Sequence, residues 1–214
     1  LGGGDDRMDV QGGAGRSNQL NGGGGEDLFH IHASFASAAF TDRTLAVGGG
    51  GGDDATVINL AAAGDEAGYV QSRISVEDTG GAAGSGQGDT LTLIGGDQAD
   101  TLLLRQTYVA TGVVNDGSVA GTPLYQKITY ASTDGQGQGV CSIERLIIES
   151  GGGDDHLALD DNATETLIDA GTGQDRVQIG QMYGQVPTGV RTVAAQDLMS
   201  VQLGKAIRIH RSGA

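Results

Sequence analysis

The sequence predicts an all-β chain built on repeats, and three observations predict it. Glycine-rich blocks ending in Asp recur along the chain, and GGGDD alone stands at residues 2 to 6, 50 to 54 and 151 to 155. Short apolar stretches with a period of two lie between the blocks, the pattern of strands with one face buried. No stretch carries a convincing helical period, apart from a turn near AAQDLM.

Each block is justified against one frame, G-G-x-G-x-D-x-U-x, with U a large apolar residue. GGGGEDLFH (22 to 30) fits throughout, AGTGQDRVQ (170 to 178) departs at Ala170, SGGGDDHLA (150 to 158) at Ser150 and LGGGDDRMD at Leu1. GGGGDDATV (49 to 57) carries Thr56 at the apolar position with Val57 after it, GGDQADTLL (95 to 103) loses a glycine to Gln98, and GSGQGDTLT (84 to 92) is weaker still. GGAGRSNQL (12 to 20) has Ser17 in place of the carboxylate, so no ligand is expected there.

The residue types explain the frame. Glycine lets the backbone take positive φ and turn its carbonyls without a side chain in the way. The closing Asp adds a hard anionic oxygen, and calcium takes six to eight oxygens from carboxylates, carbonyls and water. One turn cannot complete that shell, whereas stacked turns can. The candidate ligands are therefore Gly2, Gly4 and Asp6; Gly23, Gly25 and Asp27; Gly50, Gly52 and Asp54; Asp100; Gly151, Gly153 and Asp155; and Gly171, Gly173 and Asp175. The best-matched turns are Asp27 with Asp6 or Asp54, and Asp155 with Asp175.

Composition points the same way. The 214 residues hold 40 glycines, no Trp and three Phe, and 27 acidic against 12 basic residues leave a net charge of −15. That charge argues against nucleic acid or an anionic membrane as the partner and makes a cation the natural one. The same composition is also that of a chain disordered until a ligand binds. Cys141 stands alone and forms no internal disulfide; it is expected as a small strand residue. No apolar run approaches the ~18 residues of a membrane span. No signal peptide is visible at Leu1, and the sequence reads as a piece of something longer.

These blocks resemble the glycine-rich calcium-binding repeats of secreted bacterial proteins, the repeats-in-toxin type, whose nonapeptide has this frame. The resemblance is closer to the degenerate form in very large exported or surface proteins, through GDTLTLIGGDQADTLLL, CSIERLIIESGGGDDHLALDDNATETLIDAGTGQDRVQIGQMYG and VAAQDL. It covers nearly the whole chain. It implies calcium binding, an extracellular or cell-surface setting and a parallel β-helix or β-roll-like solenoid with irregular coils. Neighbouring repeats of a longer parent chain are the implied partners, with a surface glycan as a further candidate.

The Asp positions 6, 27, 54, 100, 155 and 175 are 21, 27, 46, 55 and 20 residues apart. Such steps are too uneven for a strict nine-residue roll and predict broader coils of roughly 20 to 28 residues. Three segments are expected in one continuous solenoid: calcium-binding coils over 1–60, alternating strands over 61–148, and a second copy of the coil unit over 149–214. In the copy, Asp27 maps to Asp155 and Asp54 to Asp175. The middle segment offers YVQSRISV, TLTLI, TLLLRQTYV, LYQKITY and SIERLIIE as strands and a loop over about 111–123.

Other residues read less specifically. His30 and His32 share one strand face and could seat a transition metal, but no third ligand is apparent and a solvent-facing role is the plainer reading. Asp160 and Asp161 read as a polar turn or an extra calcium oxygen, and Glu144 and Arg145 as one outward residue and one strand-edge charge. Two function classes follow. The first is a calcium-binding structural segment of an exported adhesin-like protein, not an enzyme, that folds and stiffens on extracellular calcium. The alternative is a polysaccharide-binding, lyase-like or epimerase-like β-helix, for which Arg73, Arg105 and Arg145 are the basic residues on offer.

Overall fold

The computed structural model describes residues 1–11, 17–32, 43–60, 72–77, 88–112, 125–133, 135, 139–159, 161–179 and 205–211. Every regular element among them is a strand. In chain order these are β1 (Arg7–Gln11), β2 (Ser17–Gly24), β3 (Leu28–His32), β4 (Arg43–Gly51), β5 (Ala55–Asn59), β6 (Ser72–Glu77), β7 (Thr90–Ile94) and β8 (Thr101–Leu104). There follow β9 (Tyr108–Gly112), β10 (Tyr125–Thr129), β11 (Ser132–Thr133), β12 (Gly139–Val140), β13 (Arg145–Glu149), β14 (His156–Leu159), β15 (Glu165–Asp169), β16 (Arg176–Ile179) and β17 (Ile207–His210).

The strands form two large sheets and one small pair. One sheet runs β1-β3-β5-β7-β13-β15-β17 with every neighbouring pair parallel. The other runs β16-β14-β8-β9-β10-β6-β4-β2, and β11 pairs with β12 alone. Up to β8 the chain places successive strands alternately in the two large sheets, and it does so again from β13 to β17.

Period-two alternation decides which face is buried. In the seven-stranded sheet one inward row reads Met8, Phe29, Thr56, Leu91, Leu146, Thr166, Ile207, and the next reads Val10, Ile31, Ile58, Leu93, Ile148, Ile168 and ends at Ile209, which is exposed on the edge strand. Like residues sit beside like, because a one-residue slip would turn every apolar side chain to solvent. Leu45, Val47, Ile74, Ile128, Val109, Leu104 and Leu159 of the other sheet join Phe29, Ile31 and Ile58 in one buried cluster. That cluster runs from Phe29 to Ile168 and so crosses all three sequence segments. Thr56 takes the apolar place its block predicts: it is buried, while Val57 faces outward and is only half-buried.

The middle segment departs from expectation in three respects. TLLLRQTYV is two strands, β8 and β9, which pair antiparallel across a tight reversal in which Arg105 N–H donates to the Tyr108 carbonyl at 2.9 Å. β9 pairs antiparallel with β10 as well, so this trio is the antiparallel part of the large sheets. SIERLIIE begins its strand only at Arg145. Cys141 lies just past β12 rather than in a strand, and burial pushes its thiol up to about 11. Beyond its first two residues the 111–123 loop lies outside the described residues, as does AAQDLM.

Glycine is required by close approach as well as by φ. Gly50 has φ +119°, and a Cβ there would run into the Gly23 carbonyl of the neighbouring turn. Gly51 has no positive φ, and its nearest atom would be the Gly23 oxygen at 4.0 Å. Gly50→Ala is therefore expected to cost at least ~1–3 kcal/mol and Gly51→Ala no more than ~0.5 kcal/mol, as read from chemical denaturation. Equal effects would contradict the stacking.

Candidate functional site

Each intact block delivers an acidic side chain to one position, the residue directly before a strand. Asp6, Asp27, Asp54, Asp89 and Glu144 precede β1, β3, β5, β7 and β13 of the seven-stranded sheet, and Asp100, Asp155 and Asp175 precede β8, β14 and β16 of the other. Register between parallel strands then stacks them. Asp6 N–H donates to Asp27 Oδ1 at 2.9 Å, Asp27 N–H to Asp54 Oδ1 at 2.7 Å, Asp54 N–H to Asp89 Oδ1 at 2.7 Å and Asp89 N–H to Glu144 Oε2 at 2.8 Å. A second ladder links Asp100 N–H to Asp155 Oδ1 at 2.8 Å and Asp155 N–H to Asp175 Oδ1 at 3.1 Å.

Each rung is reciprocal. The Asp27 carbonyl accepts the Ala55 N–H at 2.8 Å while the Asp27 N–H goes to the Asp54 carboxylate, and Asp155 and Arg176 repeat the exchange at 2.7 Å. The other acid of the paired carboxylates works outside the ladder: Asp5 Oδ1 accepts the Glu26 N–H at 3.0 Å, and Asp154 Oδ1 the Gln174 N–H at 2.8 Å. Nine of the ten glycines in the candidate set have positive φ, Gly2 being the exception, and Gly88 joins them.

The electrostatics of this stack are costly. Asp27 is 2 % exposed, and its Oδ2 is buried without a hydrogen bond. That oxygen and the Gly49 carbonyl oxygen converge on the bare Cα of Gly22, where a Cβ would overlap both. Burial raises the carboxyls of Asp100 and Asp155 above the usual 3.8; the N–H donated by Gly96 to Asp100, and the hydrogen bonds donated to Asp155 by the Asp100 N–H and the Ser150 side chain, only partly oppose it. Neighbouring carboxylates, Asp155 for Asp100 and Asp175 for Asp155, add to the rise. At the last rung a cation arrives from the chain itself: Arg211 donates to the Gly173 carbonyl, and its Nε lies 3.8 Å from Asp175 Oδ2. Stacked carboxylate and carbonyl oxygens fit a hard, oxygen-loving cation by their chemistry.

The chain matches no family model, no curated protein and no solved structure. Whatever these residues do must be argued from their own geometry.

That geometry groups the sequence candidates in a way spacing alone did not. Asp27 stands between Asp6 and Asp54, and Asp155 touches Asp175. Asp100 belongs with Asp155, so the step of 46 residues from Asp54 to Asp100 crosses from one ladder to the other. The first ladder advances by 21, 27, 35 and 55 residues, which replaces the expected coil of 20 to 28. The mapping of Asp27 onto Asp155 is likewise local to turn and strand, because the two lead into different sheets.

Asp89 and Glu144 were the rungs that sequence reasoning left out. Their signal was position, an acid immediately before TLTLI and RLIIE, and Glu144 supplies one more carbon of reach where no glycine block precedes it. Asp161 serves a turn, its Oδ1 accepting the Asn162 N–H at 2.8 Å. Arg105 follows β8 in one sheet and Arg145 opens β13 in the other.

Two outcomes test the ladder. Asp27→Ala strands the Asp6 N–H and is expected to cost ~1–3 kcal/mol, whereas Asp27→Asn keeps an accepting oxygen and, in chelator, is expected to be no less stable than the parent. The second concerns pH. Carboxyls raised in the folded state bind protons more tightly than in the unfolded chain, so their stabilising contribution is complete below 3.8 and is lost as pH rises through the raised values. In chelator the melting midpoint should climb as pH falls from neutral toward ~4, with a shallower slope in Asp155→Asn; a midpoint falling monotonically in both would contradict it.

Proposed function

We propose that this chain is a calcium-binding structural repeat segment of an exported, adhesin-like surface protein, a β-roll-like or β-helical solenoid that stiffens when its turn carboxylates meet extracellular calcium. The observation that carries the reading is the ladder itself: buried aspartates in consecutive turns, each using one oxygen on a neighbouring N–H, with the second oxygen of Asp27 left without a donor. Strands that alternate between two sheets and restack in register support the solenoid part. The sequence resemblance supports the calcium and the export.

Asp27 with Asp6 and Asp54, and Asp155 with Asp100 and Asp175, would hold the ions together with carbonyls of the glycine turns. The bound cation supplies charge neutralisation and nothing redox. The protein's part is to line up oxygens that repel one another, so that the cost of stacking them is recovered only when a cation is present. Linkage then makes stability depend on calcium concentration. In cytoplasm-like calcium the carboxylates stay repulsive, and outside the cell they are drawn together.

A titration of the metal-free chain followed by far-UV circular dichroism and thermal melting tests this. Calcium is expected to raise the β signal or the melting midpoint with a midpoint of ~0.1–1 mM, magnesium is not, and Asp27→Asn or Asp155→Asn should blunt the response. A chain indifferent to calcium up to ~10 mM, well above the range of extracellular sites, would remove the proposal and leave the aspartates as backbone caps.

A further inference from the structure

We propose that the outer face of β1 and β3 carries a second, chemically distinct metal site, a zinc-class site made by Asp9, His30 and His32. Alternation puts Phe29 and Ile31 into the core with no exposure, so His30 and His32 emerge together on the opposite face, 27 % and 33 % exposed. Parallel pairing sets Asp9 of β1 directly across from His30. This supplies the third ligand that spacing along β3 could not reveal.

The ligand atoms already converge. His30 Nδ1 and His32 Nε2 each lie 3.5 Å from the same oxygen, Asp9 Oδ1, and the three atoms all fall within 4.8 Å of one another. Tetrahedral zinc with bonds of ~2.0–2.1 Å places its ligand atoms roughly 3.4 Å apart, so the two spacings to the carboxylate suit a shared ion with little movement. The imidazole rings stand 4.5 Å apart, centre to centre. Asp9 Oδ2 is turned the other way, 3.6 Å from the Arg7 guanidinium, which holds the carboxylate with Oδ1 toward the histidines.

A neighbour is placed where it can orient one ring as metal-bound histidines usually require. Asn59 on β5 is in register with His32, and its amide nitrogen Nδ2 lies 3.1 Å from His32 Nδ1. As placed, Nδ2 donates to Nδ1; turning the amide end for end presents Oδ1, which accepts the Nδ1 proton and leaves the Nε2 lone pair facing Asp9. Two imidazoles and one carboxylate are a set for zinc, cobalt, nickel or copper and a poor one for calcium. The exposure of all three side chains leaves the fourth position to water or to a donor from another molecule.

This site is independent of the carboxylate ladders, since Asp9, His30 and His32 contribute nothing to them. The test uses the full chain in saturating calcium, with zinc measured by competition against a chromophoric chelator and cobalt by its visible absorption. One equivalent of zinc is expected at micromolar affinity or better, with cobalt giving the intense bands of a four-coordinate site. His30→Gln, His32→Gln and Asp9→Asn should each weaken zinc at least about tenfold, and Asn59→Ala about tenfold through the ring it positions. His210→Gln should leave the affinity unchanged, because that histidine lies on β17, the far edge strand of the sheet, with Asp169 of β15 at 3.7 Å. In the unsubstituted chain zinc should shift the imidazole NMR signals of His30 and His32 and spare those of His210. Zinc affinity untouched by His30→Gln and His32→Gln, displacement of zinc by millimolar calcium, or shifts confined to other histidines would each overturn the site. Loss of the calcium response with zinc binding intact would count against the calcium proposal alone.

Discussion

The structure depends on one exchange: the backbone N–H of a turn aspartate donated to the carboxylate of the aspartate in the turn beside it. Turns in a stack of parallel strands leave N–H groups that no strand partner can reach, and burying them without an acceptor is expensive. A carboxylate at the last position of each block satisfies one such group per turn and fixes the entry to the strand that follows. The bond is strong because the acceptor is charged. It also forces like charges into a column, so the solution to one problem creates the next.

That second problem gives the site its character. Asp27 buries a carboxylate oxygen that finds no donor, and around Asp100 and Asp155 burial outweighs the hydrogen bonds that would otherwise favour ionisation. The chain answers it differently in different places. At Asp175 a guanidinium comes in from beyond β17, while at Asp27 the opposing group is another oxygen, the Gly49 carbonyl. Where the protein brings no cation of its own, only a proton or a metal ion can relieve the column.

Much of this was legible in the sequence. Alternation located LFHIH and TLTLI as strands, with His30 and His32 on one face of the first, and the glycine positions with positive φ follow the frame almost residue for residue. What could not be read was adjacency. Parallel pairing joins residues 20 to 55 positions apart with no constant period, so nothing along the chain announces that Asp100 meets Asp155 or that Asp9 lies across from His30. Glu144 escaped for a related reason: its rung comes without glycines, and only the strand after it marks the place. The break in TLLLRQTYV was hidden because Arg105, Gln106 and Thr107 interrupt an apolar run without glycine or proline.

The antiparallel trio β8-β9-β10 has a consequence of direction. β10 lies parallel to β6, and β8, two reversals away, points the same way. The sheet thus gained two strands between β6 and β8 without any later strand changing its heading. A single antiparallel junction would have inverted every strand beyond it in the sheet and brought the next glycine turn to the wrong end of its neighbours. Growth of such a sheet obeys parity: antiparallel junctions enter in pairs, as the two sides of β9 do, whatever the number of strands added.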